Sequence, residues 1–305
     1  MAGSGQDQRT RAAAAALRHR MVRRIVAGGG LADPAWRAAF DEVPRHLFVP
    51  EYHRGVGEDA RFAADDPDPR RRLSWLSGAY ADQPIATHVA RGGELVSSSS
   101  QPSLMALMCE ALDVREGHRV LEIGAGTGYN AALIAHRLGG TGAVTTVDLE
   151  EAITSAARAH LAAYGTPEAL AVTVVTGDGT FGYEPGAPYD RVMATCELPS
   201  VPPAWVAQCR TGGRILAPLA SGLVLLTVLG PERAEGRFLP TPAYFVPLRG
   251  AGAGIAPDAV GGEPSLLDRR PSRTRFGLSV EGSRQWIWLD DPDGPDTWPV
   301  PAASS

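Results

Sequence analysis

Between residues 101 and 230 the period of the apolar positions changes repeatedly, with short strand-forming runs alternating with segments whose apolar residues recur every three or four positions. Val120-Leu121-Glu122-Ile123 reads as a strand, followed by clustered glycines and a helix over Tyr129 to Leu138. A strand over Ala143 to Val147, a helix over Glu150 to Tyr164, strands over Ala171 to Val175 and Asp190 to Thr195, and a helix over Pro202 to Cys209 continue the alternation. This order predicts a doubly wound α/β fold whose sheet is mostly parallel. Arg214 to Leu219 and Leu223 to Leu229, parted at Ser221-Gly222, read as a hairpin that closes the sheet.

The flanks follow other patterns. Arginines and alanines at helical spacing over residues 8 to 28, and a second start at Asp33-Pro34, predict an N-terminal helical cap. From Gly55 to Ser77 the chain turns polar, with Arg70-Arg71-Arg72 behind an Asp/Pro cluster, and reads as a solvated loop. Past residue 250 two alternating segments, Arg275 to Val280 and Gln285 to Leu289, predict a small β extension. Three parts result: residues 1–100 as helical cap and substrate-side segment, 101–250 as the main domain, and 251–305 as the C-terminal extension.

A net charge of −5 supplies no basic field for nucleic acid or anionic lipid, so neither is expected as a partner. Ile215 to Gly230 is broken by Pro218 and Ser221-Gly222, and the alanine run near the N-terminus is crowded by arginines, so no membrane span or signal segment is expected. The three cysteines, Cys109, Cys196 and Cys209, sit among apolar residues and read as reduced core residues of a cytoplasmic protein. Neither they nor the histidines show metal-ligand spacing, and no metal is expected.

The chemistry concentrates in Glu122-Ile123-Gly124-Ala125-Gly126-Thr127-Gly128, where glycines between a strand and a helix let a ligand approach the backbone. A dinucleotide loop would read G-x-G-x-x-G. Here the spacing is G-x-G-x-G, and Glu122 would repel a pyrophosphate but suits the ammonium of a methionine moiety, directly or through water. Asp148 ends the second strand, where a carboxylate can accept from ribose hydroxyls, and Asp178 in Gly177-Asp178-Gly179 can accept from an adenine amino group. The alternative for each isolated Asp is a turn or helix cap. Three acids at consecutive strand ends favour S-adenosylmethionine as cofactor, with Glu122, Gly124, Ala125, Gly126, Thr127, Asp148, Leu149, Asp178 and Gly179 as its candidate residues.

Several stretches resemble the protein-L-isoaspartate (D-aspartate) O-methyltransferase family: Val43 to Pro50, Tyr80-Ala81-Asp82-Gln83-Pro84, Ser100-Gln101-Pro102, Val120 to Gly128, Gly177 to Gly179, Pro188 to Asp190, Gly212 to Arg214 and Phe245-Val246-Pro247-Leu248. The resemblance implies a Rossmann-like class I methyltransferase fold. It also implies an enzyme that methylates a side-chain carboxylate of a peptide or protein and releases S-adenosylhomocysteine. Ser100 matches the serine that the family places beside the reacting groups, and its hydroxyl would hold the acceptor carboxylate. Its other expected role is to cap the helix near Pro102.

Two departures bear on the acceptor. The family pattern Gly-Gln-Thr-Ile before that serine is replaced by Gly93-Glu94-Leu95-Val96-Ser97-Ser98-Ser99, and a long tail follows the Phe-Val-Pro-Leu segment. Val96, Ser97, Ser98, Ser99 and Ser100 are therefore the candidate substrate-binding residues. Extended relatives resemble tailoring enzymes that methylate an ordinary Asp of a ribosomally made precursor peptide, giving an ester and then a succinimide or isoaspartate. That reading is preferred over isoaspartyl repair. An NAD-dependent oxidoreductase does not fit Glu122, and a non-catalytic binding module is the alternative of another class. Trp286, Trp288 and Trp298 are expected to pack the extension, His136 to lie on the surface, and Arg70 to Arg72 to form a solvated face.

Overall fold

A computed structural model of the chain describes residues 2–54, 60–90, 92–250, 267 and 272–301, with the side chains of 2–7 and 9 excluded. The chain forms two compact units that interleave along the sequence: Met1–Glu110, Gly126–Gly140 and Ser155–Val172 make one, and Ala111–Ala125, Thr141–Thr154 and Thr173–Ser305 the other.

The second unit is built on a ten-stranded sheet. Strands β5 (Arg119–Ile123), β6 (Ala143–Asp148), β7 (Thr173–Thr176), β8 (Tyr189–Ala194) and β9 (Cys209–Leu219) supply its parallel half. The order runs β9-β8-β5-β6-β7, so the chain winds outward in both directions from β5 and β8, as the alternating periods predicted. Runs such as Val120, Leu121 and Ile123 are buried, as strands covered on both faces require. Trp205, fully buried on the helix Pro203–Gln208, donates its indole N–H to the Gly179 carbonyl at 2.8 Å.

The expected hairpin is present, β9 with β10 (Gly222–Gly230), turning at Ala220 and Ser221 with φ of 50° and 62°. Two consecutive left-handed residues match the right-handed twist of paired strands. It does not close the sheet, however. Strands β11 (Arg233–Pro242), β12 (Phe276–Glu281), β13 (Arg284–Leu289) and β14 (Thr297–Val300) each add antiparallel to the edge. The tail segments found by alternation are thus a continuation of the main sheet, because an edge strand with an apolar face recruits the next strand. The tail residues 251–266, 268–271 and 302–305 lie outside the described residues. Trp288 is buried over Gly277, and Trp298 lies tilted against Phe276 with ring centroids 6.1 Å apart, so both pack as expected; Trp286 instead lies under the Arg284 guanidinium.

In the first unit, α1 (Ala2–Ala27) and α2 (Pro34–Glu42) form as predicted, with Asp33 accepting from the Ala35 amide at 2.8 Å. The helical cap also contains a four-stranded antiparallel sheet of order β2-β1-β3-β4, from β1 (Glu51–His53), β2 (Arg61–Ala63), β3 (Ile85–Val89) and β4 (Leu95–Ser99). The polar stretch 55–77 is no plain loop where it is described. It holds β2 and α4 (Pro69–Ala79), capped by Asp68, and Arg71 bonds Asp66 at 2.8 Å and the Arg61 carbonyl at 2.7 Å. These local ion pairs order a segment whose polarity alone suggests solvation. Among the described residues no helix is long and apolar enough to cross a membrane.

Candidate functional site

Parallel register brings the acids of the sheet unit together. Ile123 pairs with Val147 and Asp148 with Thr176, while the amides of Gly124 and Gly177 reach the carbonyls of Val147 and Asp148 at 2.8 and 2.9 Å. Gly124, Asp148 and Asp178 therefore stand at the carboxyl ends of three neighbouring strands, where open α/β sheets bind ligands. At Gly124, φ is +96° and a side chain would overlap the Thr195 hydroxyl, which donates to the Gly124 carbonyl at 2.8 Å. Only glycine satisfies both conditions there.

The three acids differ in setting. Glu122 is fully buried, and its Oε2 accepts from the Thr146 hydroxyl at 2.7 Å. Asp148 is half-buried, beside exposed Leu149. Asp178 is half-buried too and does cap a 3-10 turn, Gly179–Phe181, with Oδ1 accepting from the Thr180 amide at 2.9 Å and hydroxyl at 2.6 Å. Burial raises the pKa of the Cys196 thiol, and the Asp148 carboxylate pushes it further the same way.

The segment after Phe245-Val246-Pro247-Leu248 adds residues the sequence did not single out. It is no strand. A bridge from Pro247 to Glu197 and the Leu248 amide on the Glu197 carbonyl at 2.8 Å anchor it. Arg249 then pairs with Glu150, and Gly250, at φ +138°, lies so close to Asp178 that a Cβ would overlap its carboxylate.

In the other unit, β4 delivers the serines. A Cβ on Gly126 would lie 3.7 Å from both the Ser97 hydroxyl and the Ser98 carbonyl, so the serine strand runs beside the second half of the glycine loop. Ser97 and Ser99 are buried, Val96, Ser98 and Ser100 half-buried. His160 donates from Nδ1 to the Thr127 carbonyl at 3.0 Å and burial lowers its pKa, so a neutral ring pins the loop. Gly128, at φ +81°, lets the loop approach Ala157 to within 3.4 Å of where a Cβ would stand.

Ser100 does not cap the following helix α5 (Pro102–Leu112). Asp82 does, accepting from the Ser103 amide at 2.9 Å, and Gln101 Nε2 lies 3.4 Å from the same carboxylate. A distant acid has taken the capping duty, and the Ser100 hydroxyl forms no hydrogen bond among the described residues. The Ser100 carbonyl accepts from buried Arg45 at 3.0 Å. His46, next to it, lies 2.7 Å from the Tyr80 hydroxyl through Nδ1. The Val43-to-Pro50, Tyr80-to-Pro84 and Ser100-to-Pro102 stretches therefore interlock in space. Arg45 and Asp82 were legible only as members of those stretches, and nothing in the sequence marked His160.

Other expectations resolve locally. His136 is half-buried and contacts Glu42 at 3.0 Å rather than lying free on the surface. Arg72 Nη1 is 2.6 Å from the Asp66 carbonyl, so Arg71 and Arg72 are committed within the unit. Cys109, Cys196 and Cys209 are buried, as the core reading expects. Among the described residues no group of three or more His, Cys, Asp or Glu side chains is placed to hold a metal ion.

The family profile of protein-L-isoaspartate (D-aspartate) O-methyltransferases matches residues 71–237. A protein-L-isoaspartate O-methyltransferase of Methanoregula boonei is 38% identical over 236 residues, which cover 76% of this chain and 93% of that one. The protein-L-isoaspartate O-methyltransferase 1 of Archaeoglobus fulgidus is 35% identical, over 70% of this chain and 84% of its own. A solved protein-L-isoaspartate O-methyltransferase superimposes with a TM-score of 0.61 at 23% identity, over 94% of this chain and 88% of that one. A Plasmodium falciparum structure in complex with S-adenosyl-L-homocysteine reaches 0.57 at 15% identity, over 76% and 98% of the two chains. At these identities the structural likeness establishes a Rossmann-like class I methyltransferase fold.

Proposed function

Because the chain belongs to the protein-L-isoaspartate (D-aspartate) O-methyltransferase family, we propose that it methylates the side-chain carboxylate of isoaspartyl residues in proteins or peptides, with S-adenosylmethionine as cofactor. The cofactor fits the residues present: Gly124 turns the chain at the end of β5 with φ +96°, a conformation that favours glycine, and Asp148 and Asp178 stand at neighbouring strand ends. Asp148 would accept from the ribose hydroxyls with Leu149 beside it, Asp178 and Gly179 would take the adenine, and Glu122, Gly124, Ala125, Gly126 and Thr127 are the candidates for the methionine portion. When bound, S-adenosylmethionine supplies an electrophilic methyl on a positively charged sulfur.

The acceptor carboxylate ionises near pH 4, so at neutral pH it is already the nucleophile and no side chain must remove a proton. What the chain must do is orient it and exclude water. Ser100 donates its hydroxyl to the acceptor carboxylate. One observation carries this assignment: Asp82 caps α5 in place of Ser100, leaving that hydroxyl without a hydrogen bond among the described residues, just past strand β4.

The acceptor order differs from the one the sequence suggested. Relatives 34 to 38% identical bear the isoaspartate name, which ranks an isoaspartyl acceptor above an ordinary Asp of a precursor peptide. The tailoring reading keeps support from the irregular β3–β4 hairpin ahead of Ser100 and from the strands added beyond β11. In this scheme residues 1–100 serve the acceptor, 101–250 the cofactor and 251–305 acceptor choice. The buried thiols of Cys109, Cys196 and Cys209 suit a reducing, cytoplasmic setting.

Incubation with S-adenosylmethionine and a peptide pair differing only in isoaspartate versus aspartate, read by mass, tests the reading. A methyl gained by the isoaspartyl peptide alone supports it. Methylation of the aspartyl peptide alone, followed by loss of methanol, transfers the assignment to tailoring. Tight cofactor binding with no methylated product would leave a binding module.

A further inference from the structure

We propose that Arg45 is a positioning residue for methyl transfer, its guanidinium fixing the strand end from which Ser100 is presented. The inference rests on the role of Ser100 given above.

Arg45 opens the short helix α3 (Arg45–Phe48) and is fully buried. Its Nη1 donates to the Ala79 carbonyl at 2.8 Å, at the end of α4, with the Ala81 carbonyl at 3.4 Å. Its Nη2 donates to the Ser100 carbonyl at 3.0 Å, with the Ser99 hydroxyl at 3.1 Å and the Ser99 carbonyl at 3.3 Å. One planar group thus ties α4 to the last residues of β4.

The arrangement is an expensive way to obtain rigidity alone. No carboxylate forms an ion pair with Arg45 among the described residues, Nε is buried without a partner, and so is the hydroxyl of Tyr129, whose ring centroid lies 5.9 Å from the guanidinium carbon. Burial lowers its pKa to about 10, which still leaves the group charged at neutral pH. Taking a cation out of water carries a large desolvation cost, and replacing buried ionic groups by apolar residues of similar volume is often neutral or stabilising, so what the guanidinium adds here is geometric. Arg45 holds the Ser100 carbonyl while Asp82 holds the start of the next helix at Ser103, so Ser100 is restrained directly at its own carbonyl and again across the two residues that follow it. A lysine at position 45 retains charge but lacks the fork that reaches both Ala79 and Ser100.

The test uses full-length Arg45→Lys, Ser100→Ala and the double variant on an isoaspartyl peptide, with cofactor affinity measured separately. Misplacement of the hydroxyl should lower kcat by about 10–100-fold in Arg45→Lys, with cofactor Kd within about threefold of wild type. Because the effect passes through Ser100, adding Arg45→Lys to Ser100→Ala should slow the enzyme by no more than about twofold. Additive losses, or a kcat in Arg45→Lys equal to wild type, overturn the proposal. If Arg45→Lys does not fold, Ser99→Ala deletes a single acceptor and should lower kcat by about 3–10-fold in the wild-type background but not with Ser100→Ala. Wild-type turnover in Ser99→Ala would then overturn it. A wild-type enzyme that methylates no aspartyl or isoaspartyl peptide removes the functional reading and this inference together, whereas an active wild type with an unaffected Arg45→Lys removes the inference alone.

Discussion

In the sheet unit, Gly124, Asp148 and Asp178 are neighbours because parallel strands in fixed register end at one edge; in the helical unit, Ser100 is placed by Arg45 and Asp82, which belong to other elements of the chain. The first arrangement depends on backbone hydrogen bonds that almost any strand-forming sequence makes. The second depends on particular side chains reaching particular carbonyls and amides. Damage should therefore separate cleanly, with cofactor affinity lost on one side and the rate of transfer on the other.

The largest effect should come from Asp148→Ala. On the proposed assignment to the ribose hydroxyls, loss of this carboxylate should cost about 2–4 kcal/mol of cofactor binding, while kcat at saturating cofactor stays near wild type. Isothermal calorimetry with S-adenosylhomocysteine checks the affinity, and an unchanged Kd breaks the assignment. Ser100→Ala is the counterpart. It should lower kcat by about 1–3 kcal/mol in barrier height and leave that Kd alone. Weaker cofactor binding with normal saturated turnover would place Ser100 on the wrong side of the comparison.

Gly250→Ala asks whether the segment after Leu248 belongs with the cofactor residues. A methyl group there would overlap the Asp178 carboxylate and sit at φ +138°, where side chains are strained. The expected cost to cofactor affinity is about 2 kcal/mol, with thermal stability changed less. A fall in melting temperature with normal affinity would make the contact purely structural.

The two regions were also unequally legible. Strand and helix periods located β5, β6, β8 and α6 (Tyr129–Leu138) nearly residue for residue, since local pattern and βαβ connection determine them together. The strand-end acids followed from the same reading. Arg45, Asp82 and His160 did not, because each acts across a long sequence separation on a backbone group, and no local period records such a contact. Strand β11 was missed for a related reason. Gly236 lies where any side chain would overlap the Leu225 carbonyl, so a glycine that weakens the strand pattern is demanded by the pairing itself. The stretch 55–77 misled in the opposite direction, since the charges that suggested solvation bond one another, Arg71 with Asp66 and Arg61 with Asp65.

The smallest expected effect concerns pH, and it sharpens the contrast, because a hold made by side chains can titrate where one made by strand register cannot. His46 sits beside Tyr80 and Trp75, and burial, reinforced by the Arg18 charge, lowers its pKa to about 4. In the unfolded chain the ring protonates near pH 6.5. Between these values the unfolded state binds a proton that the folded state refuses, so stability is complete above pH 6.5 and is lost progressively as the pH falls toward 4. Allowing for partial exposure, the loss is roughly 1–2 kcal/mol. Urea unfolding of wild type and His46→Gln at pH 7 and pH 5 isolates the contribution, since every other carboxylate and histidine is common to both proteins. The gap between them should shift in favour of the variant at the lower pH. A gap independent of pH would mean that His46 is charged or solvated in the folded state, and that the side-chain lock around Ser100 tolerates acid as well as the sheet does.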